Sequence, residues 1–257
     1  MTSAKEKLAR GNLVLCLGLR QARTADIAMI ALQAGFDCVY VDMEHSPISL
    51  ETTSIICAGC QGLGITPLVR PPSHAADWIS RALDGGARGL IVPHVSNAAQ
   101  ARAIVAAARF PPLGSRSVMG PTPALGYKAM PLAETNRTLN AQTLVIVMIE
   151  TAEGVERAEE IAAVEGIDML LIGSNDLCTE LGIPGELRHP QLRSAYEAVA
   201  RACKKHGKTL GVGGIRGDQE LQKQLLDLGA RFIIAGNDVS YLTGAARADV
   251  QALRKLA

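Results

Sequence analysis

Thr143-Leu-Val-Ile-Val-Met-Ile149, closed by Glu150, is the run that decides the fold. It is too apolar to alternate between a wet and a dry face, so it predicts a strand covered on both sides, the habit of parallel sheets. Working outward, seven more short runs of the same kind stand at Leu13–Leu19, Cys38–Asp42, Thr66–Arg70, Gly89–Val95, Asp168–Gly173, Thr209–Gly213 and Arg231–Ala235. Between them lie amphipathic, Ala-rich stretches of helical length: Ala75–Leu83, Ala98–Ala108, Val155–Ala163, Pro190–Lys205, Gln219–Leu228 and Leu242–Leu256. Eight β-α units in 257 residues predict an α/β fold of the closed (β/α)8, or TIM-barrel, type in a single domain spanning 1–257. A doubly wound sheet would bring a glycine-rich nucleotide turn. The nearest candidate, Gly211-Val-Gly213-Gly214-Ile-Arg216, ends in Arg where that turn needs Gly, and no acidic partner follows.

Glycines at Ala34-Gly35-Phe36-Asp37, Gly86-Ala87-Arg88-Gly89 and Leu228-Gly229-Ala230-Arg231 mark helix ends that hand over to strands. Residues 1–10 form a charged lead-in. The rhythm breaks once, over 110–142, where five prolines and no clear period predict a long loop after the fourth unit. Part of it is expected to pass over the barrel mouth or reach a neighbouring subunit.

Composition narrows the function. With 26 Lys and Arg against 25 Asp and Glu, the net charge is +1, a poor match for a nucleic-acid partner. The chain is 48% hydrophobic and 20% charged, the balance of a globular protein with a sizeable core. The first ten residues hold no apolar run of signal-peptide kind, and no stretch elsewhere approaches the roughly 20 residues that cross a bilayer. A cytoplasmic protein with no membrane partner is expected. Six scattered cysteines, Cys16, Cys38, Cys57, Cys60, Cys178 and Cys203, read as reduced core residues, the Cys57/Cys60 pair included.

Polar residues at strand C-termini face the active site of such a barrel. The second strand exits with Asp42-Met43-Glu44-His45, the third with Arg70, the fifth with Glu150 and the sixth with Gly173-Ser174-Asn175-Asp176. Glu150 and Asp176 on neighbouring strands can offer two oxygens to a hard divalent cation of the magnesium kind. The alternative is that one of them pairs with Arg70 or caps the next helix. His45, beside acids at a strand exit, is the natural general base. His94 stands either at the mouth or as a hydrogen-bonded core histidine. None of the eight lysines ends a strand, which argues against a Schiff-base lysine; Lys208 falls on the bottom face and Lys128 in the long loop.

The runs Asp37-Cys-Val-Tyr-Val-Asp42-Met-Glu44-His45-Ser-Pro47, Pro67-Leu-Val-Arg70, Leu83-Asp84-Gly-Gly-Ala87, Arg109-Phe-Pro-Pro-Leu-Gly114-Ser-Arg116, Ile149-Glu150-Thr151 and Ile172-Gly173-Ser174-Asn175-Asp176-Leu177 resemble the HpcH/HpaI family. These are class II, metal- and pyruvate-dependent 4-hydroxy-2-oxoacid aldolases, and the resemblance runs from about Gly11 to Leu256. It implies a lyase that cleaves a 4-hydroxy-2-oxoacid to pyruvate, or a pyruvate analogue, and an aldehyde. It also implies a homohexamer, a trimer of dimers, with the C-terminal helix exchanged between subunits. Carried onto matching positions, Glu150 and Asp176 hold Mg²⁺, Mn²⁺ or Co²⁺, which pyruvate chelates. Backbone N–H groups near Gly173, Ser174, Asn175 and Asp176 receive the carboxylate. Arg70 binds the keto oxygen and steadies the enolate. His45 takes the C4 hydroxyl proton, Asp84 raises its basicity, and Asp42 orients the cluster.

Met148 departs from the family pattern, which often has Gln two residues before the metal Glu, so its contact with the bound oxoacid is apolar. The segment Arg116–Tyr127 departs too and, with His94, is expected to shape the aldehyde side. Two other functions share the barrel. A CoA-ester lyase of the citrate lyase β-subunit type needs extra basic residues and length for CoA. A non-catalytic oxoacid-binding oligomer would have lost the base or the metal carboxylates.

Overall fold

The computed structural model describes residues 2–256. Eight parallel strands close into a barrel in chain order, the last pairing with the first. After a short helix α1 (Ala4–Ala9), β1 (Val14–Leu19) leads to α2 (Ile27–Gln33), β2 (Cys38–Asp42) to α3 (Leu50–Leu63), and β3 (Thr66–Arg70) to α4 (Ala76–Asp84). β4 (Gly89–Val92) leads to α5 (Ala98–Ala108), a 3-10 turn at Pro123–Leu125, and α6 (Leu132–Gln142). β5 (Leu144–Ile149) precedes α7 (Ala152–Glu156) and α8 (Ala158–Ala162), and β6 (Met169–Gly173) precedes α9 (Ser174–Glu180) and α10 (Pro190–His206). β7 (Thr209–Gly213) with α11 (Gln219–Asp227), then β8 (Ala230–Asn237) with α12 (Asp238–Arg254), complete the ring.

The deciding run is apolar because each of its faces meets a core. Ile146 and Met148 point into the barrel beside Leu68, Ile91, Met169, Leu171 and Phe232, while Val145, Val147 and Ile149 pack outward against the helices. Side chains alternate along a strand, so this parity predicts what reaches the mouth. Inward positions 38 and 40 continue to Asp42, position 68 to Arg70, 146 and 148 to Glu150, and 14 and 16 to Arg20. The barrel therefore delivers its ionisable groups to one end by strand geometry alone.

Three strands match their predicted limits residue for residue, and Gly35, Gly86 and Gly229 all take the left-handed φ of helix-terminating glycines. Strand four stops at Val92 instead of Val95, because Pro93 has no N–H to give the ladder. The segment 110–142 departs from its prediction. Its last third is the helix α6, whose period is hidden because only Thr135 and Leu139 of it are buried. Nor does it cross the mouth: Arg116 pairs with Asp84 at the end of α4, and Arg88, just before β4, donates to the Ala124 carbonyl. Both anchors lie at the end of the barrel where strands begin. All six cysteines are buried and free, with Cys57 and Cys60 packed on the core face of α3. Among the described residues no helix is long and apolar enough to cross a membrane. Helix α12 buries no residue against its own chain, and Leu242 and Leu253 are 69% and 66% exposed.

Candidate active site

Asp42 organises the mouth. Fully buried at the end of β2, it accepts paired hydrogen bonds from Arg70, Nε to Oδ1 at 3.0 Å and Nη2 to Oδ2 at 2.6 Å. Its Oδ1 also accepts the backbone N–H groups of Glu44 at 3.2 Å and His45 at 3.1 Å, which folds the turn that presents His45. Burial alone would push the Asp42 carboxyl up, but the Arg70 hydrogen bonds and charge hold it below the ordinary carboxylate range. Burial likewise works against the Arg70 cation, and Asp42 outweighs it, so Arg70 stays charged. The Tyr40 ring supports the guanidinium at 5.6 Å from its centroid.

A second chain of charges runs alongside. Arg70 Nη1 lies 3.1 Å from Glu44, whose other oxygen is 2.9 Å from His94 Nε2, and His94 Nδ1 lies 2.9 Å from Glu150. His94 thus belongs to the mouth, held at a φ of 52°, an uncommon conformation for a side chain of its size. Glu44 also comes within 3.6 Å of the half-exposed His45 ring.

Glu150 is the group left wanting. Both of its carboxylate oxygens are buried and neither has a hydrogen-bond partner, since the His94 approach is off hydrogen-bonding geometry. Burial pushes its carboxyl up to about 7; Asp176 and Glu44 add to the rise, and His94 and Arg70 oppose it. Gly173 makes its berth: a Cβ there would stand 2.7 Å from Glu150 Cγ. Beyond Gly173, Ser174 opens α9 and its hydroxyl accepts a 2.9 Å hydrogen bond from the buried Tyr196. Gly214, at a φ of 81°, leaves room for the Asn175 amide, which would stand 3.1 Å from a Cβ there. Among the described residues no group of three or more His, Cys, Asp or Glu is placed to hold a metal ion.

Part of this cluster lines a cavity of about 340 Å³, with Glu44, His94 and Glu150 outside its lining. Asp42, His45, Arg70, Met148, Gly173, Ser174, Asn175 and Asp176 all line it, and Glu150 lies directly behind Gly173. Asp84 does not join them. It ends α4 at the opposite end of the barrel, paired with Arg116 at 2.5 Å, because helices run antiparallel to the strands they cover. Within one chain, therefore, it cannot tune His45, and no residue of 116–127 lines the cavity. The sequence places Glu44 at a strand exit without a role and gives no site role to Arg20 or Arg216. The inward parity of Val14, Cys16 and Gly18 points to Arg20; the role of Glu44 depends on cross-strand contacts that no spacing encodes.

The chain matches the HpcH/HpaI aldolase/citrate lyase family over residues 19–245. It is 41% identical, over 97% of its length and 94% of the relative's, to a 4-hydroxy-4-methyl-2-oxoglutarate aldolase of Chaetomium globosum. A 4-hydroxy-2-oxo-heptane-1,7-dioate aldolase of Escherichia coli is 34% identical over 94% of this chain and 90% of that one. The crystal structure of an HpcH/HpaI aldolase from Desulfitobacterium hafniense superposes with a TM-score of 0.94 at 30% identity, covering 100% of this chain and 98% of the other.

Proposed function

The chain belongs to the HpcH/HpaI aldolase/citrate lyase family, and from that premise we propose how its mouth performs a retro-aldol cleavage. The enzyme is a carbon–carbon lyase acting on 4-hydroxy-2-oxoacids, which it splits into pyruvate and an aldehyde or other carbonyl compound. His45 accepts the C4 hydroxyl proton, the C3–C4 bond breaks as the C4 carbonyl forms, and the electron pair passes to the enolate of pyruvate. Arg70 holds the keto oxygen and meets the negative charge that grows on it. Asp42 fixes Arg70 by the paired hydrogen bonds and His45 through its backbone N–H. The substrate carboxylate sits at the Gly173–Asp176 turn, and Met148 gives an apolar floor in place of an amide.

The observation that carries this reading is the Glu150 carboxylate, buried without a hydrogen bond beside a cavity that also presents Asp176. Such a group asks for a cation. Glu150 and Asp176 would hold Mg²⁺, Mn²⁺ or Co²⁺, with water and substrate completing a hard-oxygen set. When bound, the cation supplies charge stabilisation for the enolate. We assign the whole chain, 1–257, to one catalytic domain of a cytoplasmic enzyme; Met1 and Ala257 lie outside the described residues. The bare apolar face of α12 supports a homohexamer in which that helix is exchanged between subunits.

The test is pyruvate release from oxaloacetate, which forms the same enolate without needing the natural aldehyde. Release that requires Mg²⁺ or Mn²⁺, stops with chelator and vanishes in Glu150→Ala is the expected result. Release no greater than from the variant would overturn the reading.

A further inference from the structure

His45 is not held by its own strand alone. It follows β2 in a turn where Asp42 accepts its backbone N–H at 3.1 Å, and its ring is half-exposed. The other side of the same residue is fixed from β1. Arg20 Nη2 donates to the His45 carbonyl at 3.1 Å, and among the described residues that is the one hydrogen bond this carbonyl accepts. Arg20 Nε also stands 3.6 Å from Asp42, whose oxygens Arg70 already engages. Arg20 is therefore a brace between the first strand exit and the second. A brace built on a long, rotatable side chain is only as well placed as the backbone that carries it.

That backbone lies beyond the end of β1, and Asp238 holds it. β8 pairs with β1, Gly18 opposite Asn237, so Asp238 arrives where β1 ends. Its carboxylate accepts the backbone N–H groups of Arg20, Gln21 and Ala22 at 3.0, 2.9 and 2.7 Å. An N–H bonded to a carboxylate is held about twice as strongly as one bonded to a neutral acceptor. Arg23 closes the loop from the other side by donating to the Arg20 and Ala22 carbonyls. Capping α12 falls to Asn237, which exchanges hydrogen bonds with Ser240; beyond the adjacent Val239 N–H, Asp238 directs its oxygens to the β1 exit. Because Asp238 directly follows β8, this contact belongs to the chain's own barrel and does not depend on where the rest of α12 packs.

We propose that Asp238 is a positioning residue for the base: through the β1 exit and Arg20 it fixes His45 where it meets the C4 hydroxyl. The inference rests on the lyase reading above and adds to it a residue that does not line the cavity. Asp238 acts on rate through the placement of His45, where a misplacement of about 1 Å can slow a reaction about 100-fold.

The experiment compares two kcat values in the metal-loaded enzyme: cleavage of 4-hydroxy-2-oxoglutarate, which needs the hydroxyl proton removed, and decarboxylation of oxaloacetate, which does not. Asp238→Ala should lower the ratio of cleavage to decarboxylation by about 10-fold, through kcat with KM nearly unchanged. Asp238→Asn, which keeps one acceptor oxygen and loses the charge, should recover part of the loss. Arg20→Met should lower the ratio by a similar factor, and the double variant should fall no further than the lower single, because both act by one route. A ratio within about twofold of wild type in folded Asp238→Ala overturns the inference, as do an equal fall of both reactions and a double variant whose losses multiply. Where Asp238→Ala melts below the assay temperature, Asp238→Asn and Arg20→Met decide, and an unchanged ratio in both overturns it. Wild-type protein that performs both reactions with a ratio indifferent to these variants leaves the lyase reading in place. Wild-type protein that releases pyruvate from neither substrate overturns that reading, and the positioning role with it.

Discussion

The two ends of the barrel are both rich in charge and treat it in opposite ways. At the end where strands begin, the buried Arg109 donates to the Asn140, Thr143 and Gly166 carbonyls and pairs with Asp168 at 2.6 Å. Asp168 in turn accepts the Val145 N–H at 2.7 Å and meets Lys5 at 3.0 Å. Lys208 spends its charge on the Val164 and Ile167 carbonyls. At the mouth, Glu150 has two buried oxygens without a hydrogen bond and Arg216 has no counter-charge among the described residues. Satisfied polar groups tie chain segments together; the Glu150 oxygens and the Arg216 cation, beside the cavity, are left for something that is not protein. The barrel keeps its closing contacts and its chemistry about one strand length apart.

The sharpest way to break the contrast is Glu150→Gln, which keeps shape and removes charge. Metal-dependent pyruvate release from oxaloacetate should fall by about 10³-fold. Because burial lets the Glu150 carboxyl keep its proton to about 7, the metal-free native state loses stability as pH rises from the ordinary carboxylate range toward that value. The variant lacks this penalty, so above pH 7 its metal-free melting temperature should be no lower than wild type; a clear drop would mean that Glu150 holds the fold together. Arg109→Met is the mirror case. It leaves Asp168 with Lys5 as its one remaining cation, takes the Arg109 donors from the Asn140, Thr143 and Gly166 carbonyls, and should cost about 3 kcal/mol, or about 6 to 12 °C in thermal denaturation, while kcat of the folded fraction is unchanged. A loss of kcat without a loss of stability would erase the distinction between the two ends.

His45→Ala sharpens the picture within the mouth. Aldol cleavage should fall by about 10²-fold while oxaloacetate decarboxylation survives, since decarboxylation needs no hydroxyl proton removed. Equal loss of both would make His45 a binding residue. The smallest effect concerns pH. A cation must displace the Glu150 proton below about 7, so the apparent Kd for Mn²⁺, followed by its electron paramagnetic resonance signal, should rise about tenfold for each unit of acidification and level off above 7. An affinity that is flat between pH 5.5 and 7 would remove Glu150 from the cation site.

What was legible in the sequence follows from what is local. Strand runs, helix-ending glycines and the exits Asp42, His45, Arg70, Glu150 and Asp176 lie in continuous stretches whose parity or position carries the signal. Asp84 stands away from the mouth of its own chain because α4 carries it to the end where strands begin, a placement that a motif, which marks kinship without direction, does not encode. The α6 helix went unseen because the surface it covers is shallow, leaving Leu139 as its one buried large apolar residue. His94 stayed open because its place depends on Pro93 ending β4 and on a left-handed turn that pushes the ring between Glu44 and Glu150. Arg216 hid inside a glycine-rich stretch whose spacing invited comparison with a nucleotide turn and distracted from the cation at its end.

The contact between Gly173 and Glu150 constrains how this site can evolve. A Cβ at 173 would lie 2.7 Å from Glu150 Cγ, so any other residue there displaces the carboxylate, while loss of the carboxylate removes the reason for the glycine. The two positions are epistatic. A lineage leaving this chemistry must give up Glu150 first, after which substitutions at 173 become neutral and accumulate. Regaining the activity would then need two coordinated changes, with no functional single-step intermediate, so the loss behaves as a one-way door in sequence space.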